Sequence, residues 1–121
     1  MKKYILLIIL PLLLSVTQLF PMDVNGIIAY PVPYNPKKGV LTVRDNNNIT
    51  VNSVTLEIYD INGDPVAEKH YSGLGLTGIK WNGRNSRGSY VKPGLYILRI
   101  TAEDTGSGDY GKKLIRILID Y

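Results

Sequence analysis

The side chains able to do chemistry are few and scattered. His70 is the only histidine in 121 residues, and cysteine is absent. A thiol nucleophile, a thiolate metal site and a disulfide staple are therefore excluded. His70 lies in a polar run with no serine or carboxylate in a triad-like setting, so it reads as a surface histidine and not as a general base. Asp60-x-Asn62-x-Asp64 opens with the spacing of a calcium loop. The sixth position is then Pro65, where glycine must make the sharp turn, and the twelfth is Tyr71, where a bidentate glutamate belongs. The segment reads as a hairpin turn. No catalytic residue, metal or cofactor is expected, and the chain is not expected to be an enzyme.

Three cations, Arg84, Arg87 and Lys92, fall in or beside one loop rich in glycine and asparagine. Such a loop is either a solvated surface or a docking site for an acidic partner or a glycan. Trp81, the only tryptophan, stands just before it. Ile79 shares its face, so the indole reads as a plug between two sheets; the competing role is a stacking platform for a sugar. Gly63, Gly83, Gly88 and Gly94 are expected at turn positions with positive φ. No helix follows any of them, so they do not form a phosphate cradle. Tyr96 is placed as a tyrosine corner, its hydroxyl tying down a loop backbone. The formal net charge is +4, and half of that excess is Lys2 and Lys3. The other cations are interspersed with acids, which is not the basic, aromatic-laced stripe of a nucleic-acid face.

These residues need strands to position them. Nine tyrosines, twelve glycines and seven prolines among many Val, Ile and Thr residues fit an all-β chain. Residues 1–22 have signal-peptide grammar: Lys2-Lys3, a short apolar run, then small or polar residues. They are expected as a leader helix, either cleaved or kept as an anchor. Beyond it, residues 27–30 form a first strand. Pro31, Pro33 and Pro36 then forbid both helix and central strand, leaving an extended edge segment with Tyr34 free to pack.

Residues 40–44 alternate as a strand, and the asparagine cluster after them is a turn. Residues 53–59 give the cleanest alternation, with Val54, Leu56 and Ile58 on one face. Asn62-Gly63 marks a hairpin. Residues 65–71 return as a charged edge strand. Residues 77–81, 94–103 and 112–121 supply three more strands, the last two joined by a turn over 104–111. About seven antiparallel strands of this spacing predict an immunoglobulin or fibronectin III-like β-sandwich over residues 26–121.

Four motifs also resemble one family. Tyr30-Pro31-x-Pro33-Tyr34-Asn35-Pro36 is similar to the "YPNPFNP" opening of FlgD-like immunoglobulin domains, named for the flagellar hook-capping protein and similar to type IX secretion C-terminal sorting domains. Leu56-x-Ile58-Tyr59-Asp60-x-x-Gly63-x-x-Val66 resembles their "LxIYDxxGxxV" hairpin. Trp81-Asn82-Gly83-Arg84-x-x-x-Gly88-x-x-Val91 resembles "WDGrdxxGxxV", and Pro93-Gly94-Leu95-Tyr96 resembles "sGvY". The likeness spans residues 27–119. Val32 replaces the usual Asn and Asn82 the usual Asp; asparagine makes the same local backbone bonds.

The resemblance implies an exported, non-enzymatic module. Its use would be protein–protein contact in a cell-envelope or extracellular assembly tied to secretion or motility. The expected partner is another envelope or secreted protein, not nucleic acid, with the membrane reached only through an uncleaved leader. The alternative is a glycan- or surface-binding module. The expected location is the periplasm, the outer surface or the medium.

Overall fold

A computed structural model describes residues 22–73 and 76–121. The expected leader and Leu74-Gly75 lie outside the described residues. The strands are β1 (Ile27–Tyr30), β2 (Leu41–Asp45), β3 (Ser53–Asp60), β4 (Pro65–Ser72), β5 (Ile79–Trp81), β6 (Gly94–Asp104) and β7 (Asp109–Ile119). They form two antiparallel sheets, β1-β2-β5 and β4-β3-β6-β7, and no helix occurs among the described residues. This is the two-layer architecture that the spacing predicts.

Alternation decides which face is buried. Val54, Leu56 and Ile58 of β3 point inward with Tyr96, Leu98, Ile100 and Ala102 of β6 and with Ile117 and Ile119 of β7. Leu41, Val43, Ile79 and Trp81 of the smaller sheet close over them. Burying one such aliphatic side chain contributes about 1.5–3 kcal/mol, so this core is the main stabilising term.

Three boundaries differ from the sequence expectation by more than one residue, among them the end of the last strand, which stops at Ile119 and not at 121. The strand expected from Thr77 begins only at Ile79, because Gly78 takes φ +77° and interrupts the pleat. The turn expected over 104–111 shrinks to residues 105–108, since Asp109, Tyr110 and Gly111 pair with Asp104, Glu103 and Ala102. The hairpin closes tightly around Gly108, whose φ is +79°. β4 lies at a sheet edge, with a register shift opposite Ile58/Tyr59.

The proline-rich segment is anchored by Tyr34, which is 1% exposed. Its ring meets Trp81 at 6.1 Å between centroids, tilted by 50°. Its hydroxyl lies 2.9 Å from the Gly39 carbonyl oxygen and 3.1 Å from that of Trp81, a donor shared between two acceptors. The Tyr34 N–H also donates to the Leu118 carbonyl, and the Asp120 N–H to the Tyr34 carbonyl. The segment therefore closes the C-terminal end of β7 while the ring fills the gap beside the indole.

Candidate functional site

The loop between β5 and β6 carries the cations singled out in the sequence. It begins at Trp81, 1% exposed, whose Nε1 donates to the Arg84 carbonyl at 3.0 Å. Asn82 Oδ1 accepts from the Arg84 N–H. Asn85 Oδ1 accepts from the N–H groups of Arg87 and Ser89, and the Asn85 and Ser89 backbones bond each other. These are the side-chain turns that asparagine makes with its own backbone. The Val91 N–H returns to the Gly83 carbonyl, and the Ser86 N–H reaches Val66 on the edge strand β4.

Gly83 has φ +73°, and a Cβ there would sit 2.3 Å from Pro36 Cβ. Only glycine lets the loop approach the proline segment so closely. Gly63, Gly88 and Gly94 also have positive φ, as expected. The far end of the loop is tied by two hydroxyls. Tyr96 donates to the Lys92 carbonyl at 2.7 Å, the tie a tyrosine corner makes, and Tyr121 donates to the Val91 carbonyl at 2.7 Å. Burial pushes the Tyr96 phenol above its ordinary pKa, with the Asp60 carboxylate adding to the shift.

A groove of about 500 Å³ runs beside this loop, lined by Asp60, Val66, Arg87, Tyr90, Lys92 and Tyr96 among others. The structure divides the three cations. Arg87 and Lys92 line the groove and are exposed. Among the described residues neither side chain has an ion-pair or hydrogen-bond partner; the one ion pair found there joins Arg99 and Glu57. Arg84 is instead part of the scaffold: Nη1 donates to the Gly88 carbonyl at 2.7 Å, and its guanidinium lies 4.0 Å from the Tyr90 ring centroid. Asp60, the first member of the calcium-like spacing, spends Oδ1 on the N–H groups of Asn62 and Asp64, which shapes the hairpin. His70 is exposed on β4, with Nδ1 2.9 Å from Thr55 Oγ1. Chemically, the groove offers recognition of negative charge by two unpaired cations on a rigid, tyrosine-lined wall.

Sequence reasoning missed a second polar centre, on the outer face of the larger sheet. Glu57 and Arg99 are direct cross-strand partners. Arg99 Nε and Nη2 donate to the two Glu57 oxygens at 3.1 and 2.8 Å. Arg99 Nη2 also donates to Tyr59 Oη at 2.9 Å, and the Tyr59 hydroxyl donates to Glu57. Arg99, then Tyr59, hold the Glu57 carboxyl below its usual pKa; the bond to Glu57 raises that of Tyr59. Three outward positions in the sequence carry these residue types, but only the β3–β6 register puts Glu57 opposite Arg99.

The model for the FlgD Ig-like domain matches residues 37–106. That is narrower than the motif resemblance: it omits the proline-rich opening and β7. No curated protein matches the chain. Among solved structures, PorZ, an essential bacterial surface component of the type IX secretion system of Porphyromonas gingivalis, matches with TM-score 0.54 and 24% identity over 82% of this chain and 12% of PorZ. Dimeric latent PorU from the same organism matches with TM-score 0.53 and 19% identity over 77% of this chain and 9% of PorU. At these identities the likeness is one of fold, and this chain spans about an eighth or less of either protein's length.

Proposed function

The chain belongs to the FlgD Ig-like domain family, and from that premise we propose that it is a non-enzymatic, exported contact module in a secretion- or motility-associated envelope or extracellular assembly. The observation that carries this reading is the β5–β6 loop. The amides of residues 84–89 and of Val91 are bonded within the loop or to Val66, while the Arg87 and Lys92 side chains remain unpaired beside the groove. A rigid surface loses little conformational freedom on docking, so its free cations can be used for binding at low entropic cost. The likeness to PorZ and PorU supports a secretion setting, and export and an envelope location follow from the same reading.

A glycan-binding role is the second reading, favoured by the exposed rings of Tyr90 and Tyr121. Arg84 already covers one face of Tyr90, and the Lys37 ammonium lies 4.7 Å from the centroid of Tyr121. Each ring therefore offers a sugar only its other face, which makes protein contact the stronger reading.

The test places a photo-crosslinking side chain at exposed Ser86 in cells that make the protein natively. A discrete protein adduct that disappears when Arg87→Glu and Lys92→Glu are introduced supports contact through the groove. Retention of the purified chain on a cell-surface polysaccharide resin, with no adduct, would move the assignment to glycan binding.

A further inference from the structure

β7 is an edge strand whose backbone is only partly covered. The bonds of Leu118 and Asp120 to Tyr34 fix which of its residues turn their N–H and C=O away from β6. These are the even-numbered ones, because the β6–β7 register runs without a shift. Toward the other end, Val24 and Met22 pack against Gly111. Between these two covers, Lys112, Leu114 and Arg116 point their backbone groups outward. Among the described residues no other segment bonds to them.

The side chains along this opening are only loosely engaged: Lys112 lies near enough to the Glu57 carboxylate to help hold its pKa down. Lys112, Leu114 and Arg116 lie on the outer face, and Leu114 is 64% exposed. Neither Lys112, Lys113 nor Arg116 has an ion pair among the described residues. On the inner side the same stretch presents Ile115, which is half-buried. Isolated domains guard an edge with charge, and this one carries a single sign. A second copy is a poor occupant: antiparallel pairing centred on Leu114 would set Lys112 opposite Arg116, and like charges directly opposed destabilise a sheet.

We propose that the β7 edge accepts one added strand from another protein, an extended segment that alternates acidic and aliphatic side chains. Its backbone pairs with Lys112, Leu114 and Arg116. Its carboxylates lie on the outer face against Lys112 and Arg116, and its aliphatic side chains lie on the inner face beside Ile115. This surface is separate from the β5–β6 groove, so the two assignments stand or fall independently.

The experiment titrates the full chain with a synthetic peptide alternating glutamate and valine, and with a lysine–valine counterpart. Amide hydrogen exchange is followed residue by residue. The acidic peptide is expected to bind, to slow exchange at Lys112, Leu114 and Arg116, and to bind more weakly as salt rises. Lys112→Glu with Arg116→Glu should weaken it about tenfold or more, because the partner then meets like charge. Leu114→Pro removes an outward donor at an edge position where proline is tolerated and should weaken it as well. Should that variant lose its native Trp81 fluorescence, the charge-reversed pair decides the matter. Arg87→Glu with Lys92→Glu should leave this binding unchanged. No binding, equal binding of the basic peptide, protection confined to the β5–β6 loop, or a dimer of the chain built on β7 would each overturn the proposal.

Discussion

Two tyrosine hydroxyls tie distant segments together, Tyr34 inside the sandwich and Tyr59 on its outer face. Tyr34 is buried, its ring is packed on Trp81, and its hydroxyl is bonded to backbone carbonyls. Tyr59 is half-buried, its ring is under the Arg99 guanidinium, and its hydroxyl is bonded to charged side chains. Water can replace most of what Tyr59 does, because exposed ion pairs gain little over solvation. Nothing replaces what Tyr34 and Trp81 do, because removing either leaves a void or an orphaned carbonyl. The same residue types thus hold the fold in one place and shape a surface in the other.

The sharpest break in that contrast is Trp81→Ala. Deleting a fully buried indole should cost on the order of 3–5 kcal/mol. A domain this small has about 5–15 kcal/mol in all. Urea unfolding followed by circular dichroism reads the loss; a variant as stable as the parent would remove the indole from the core account. Gly83→Ala comes next, at about 2–3 kcal/mol, since it meets both a positive φ and Pro36. Gly63→Ala is its control. It has the same sign of φ with nothing within 4 Å, and should cost only about 1 kcal/mol. Equal losses would mean that the Pro36 contact contributes nothing.

How far these regions could be read from sequence follows the same division. The inward rows of β2, β3, β5 and β6 were legible because alternation reports burial directly. The hairpin at Asn62-Gly63 was legible because asparagine and glycine have few other uses in such a place. The breaks at Gly78 and Gly108 were not, since no turn motif around either one marks where the pleat stops or the hairpin tightens. In the loop, sequence grouped Arg84, Arg87 and Lys92 by proximity alone. Only the folded loop separates Arg84, turned back onto Gly88 and Tyr90, from the two that face the groove. Glu57, Tyr59 and Arg99 were invisible as a cluster because cross-strand register, not spacing, brings them together.

A smaller effect is expected from Tyr34→Phe. The ring still fills its space beside Trp81, and only the shared hydrogen bond to Gly39 and Trp81 is lost. Leaving a buried carbonyl short of its donor costs about 1–2 kcal/mol. Tyr59→Phe removes a hydroxyl as well, but one that water reaches on the half-buried outer face, and should shift the urea midpoint less. A reversed order would mean that the outer cluster, and not the inner lock, ties the segments together.

The smallest effect belongs to Glu57, and pH isolates it. Hydrogen bonds from Arg99, then Tyr59, hold its carboxyl below the usual glutamate range. A carboxyl whose folded pKa is depressed stabilises the fold fully above the unfolded value of about 4.3. That stabilisation is lost as pH falls through the lower folded value. Tyr59 works at the opposite end: its pKa is raised, chiefly by the bond to Glu57, so its contribution holds below about pH 10 and fades as pH climbs beyond it. The Glu57 and Arg99 side chains are 21% and 38% exposed. Solvent screening therefore keeps the pair's contribution small. Glu57→Gln should change the midpoint slightly at neutral pH and flatten its decline below about pH 4.3, with high salt narrowing the gap between the two proteins. If the two acid limbs run parallel, the carboxylate is not coupled to Arg99 in solution, and the outer cluster contributes surface shape without stability.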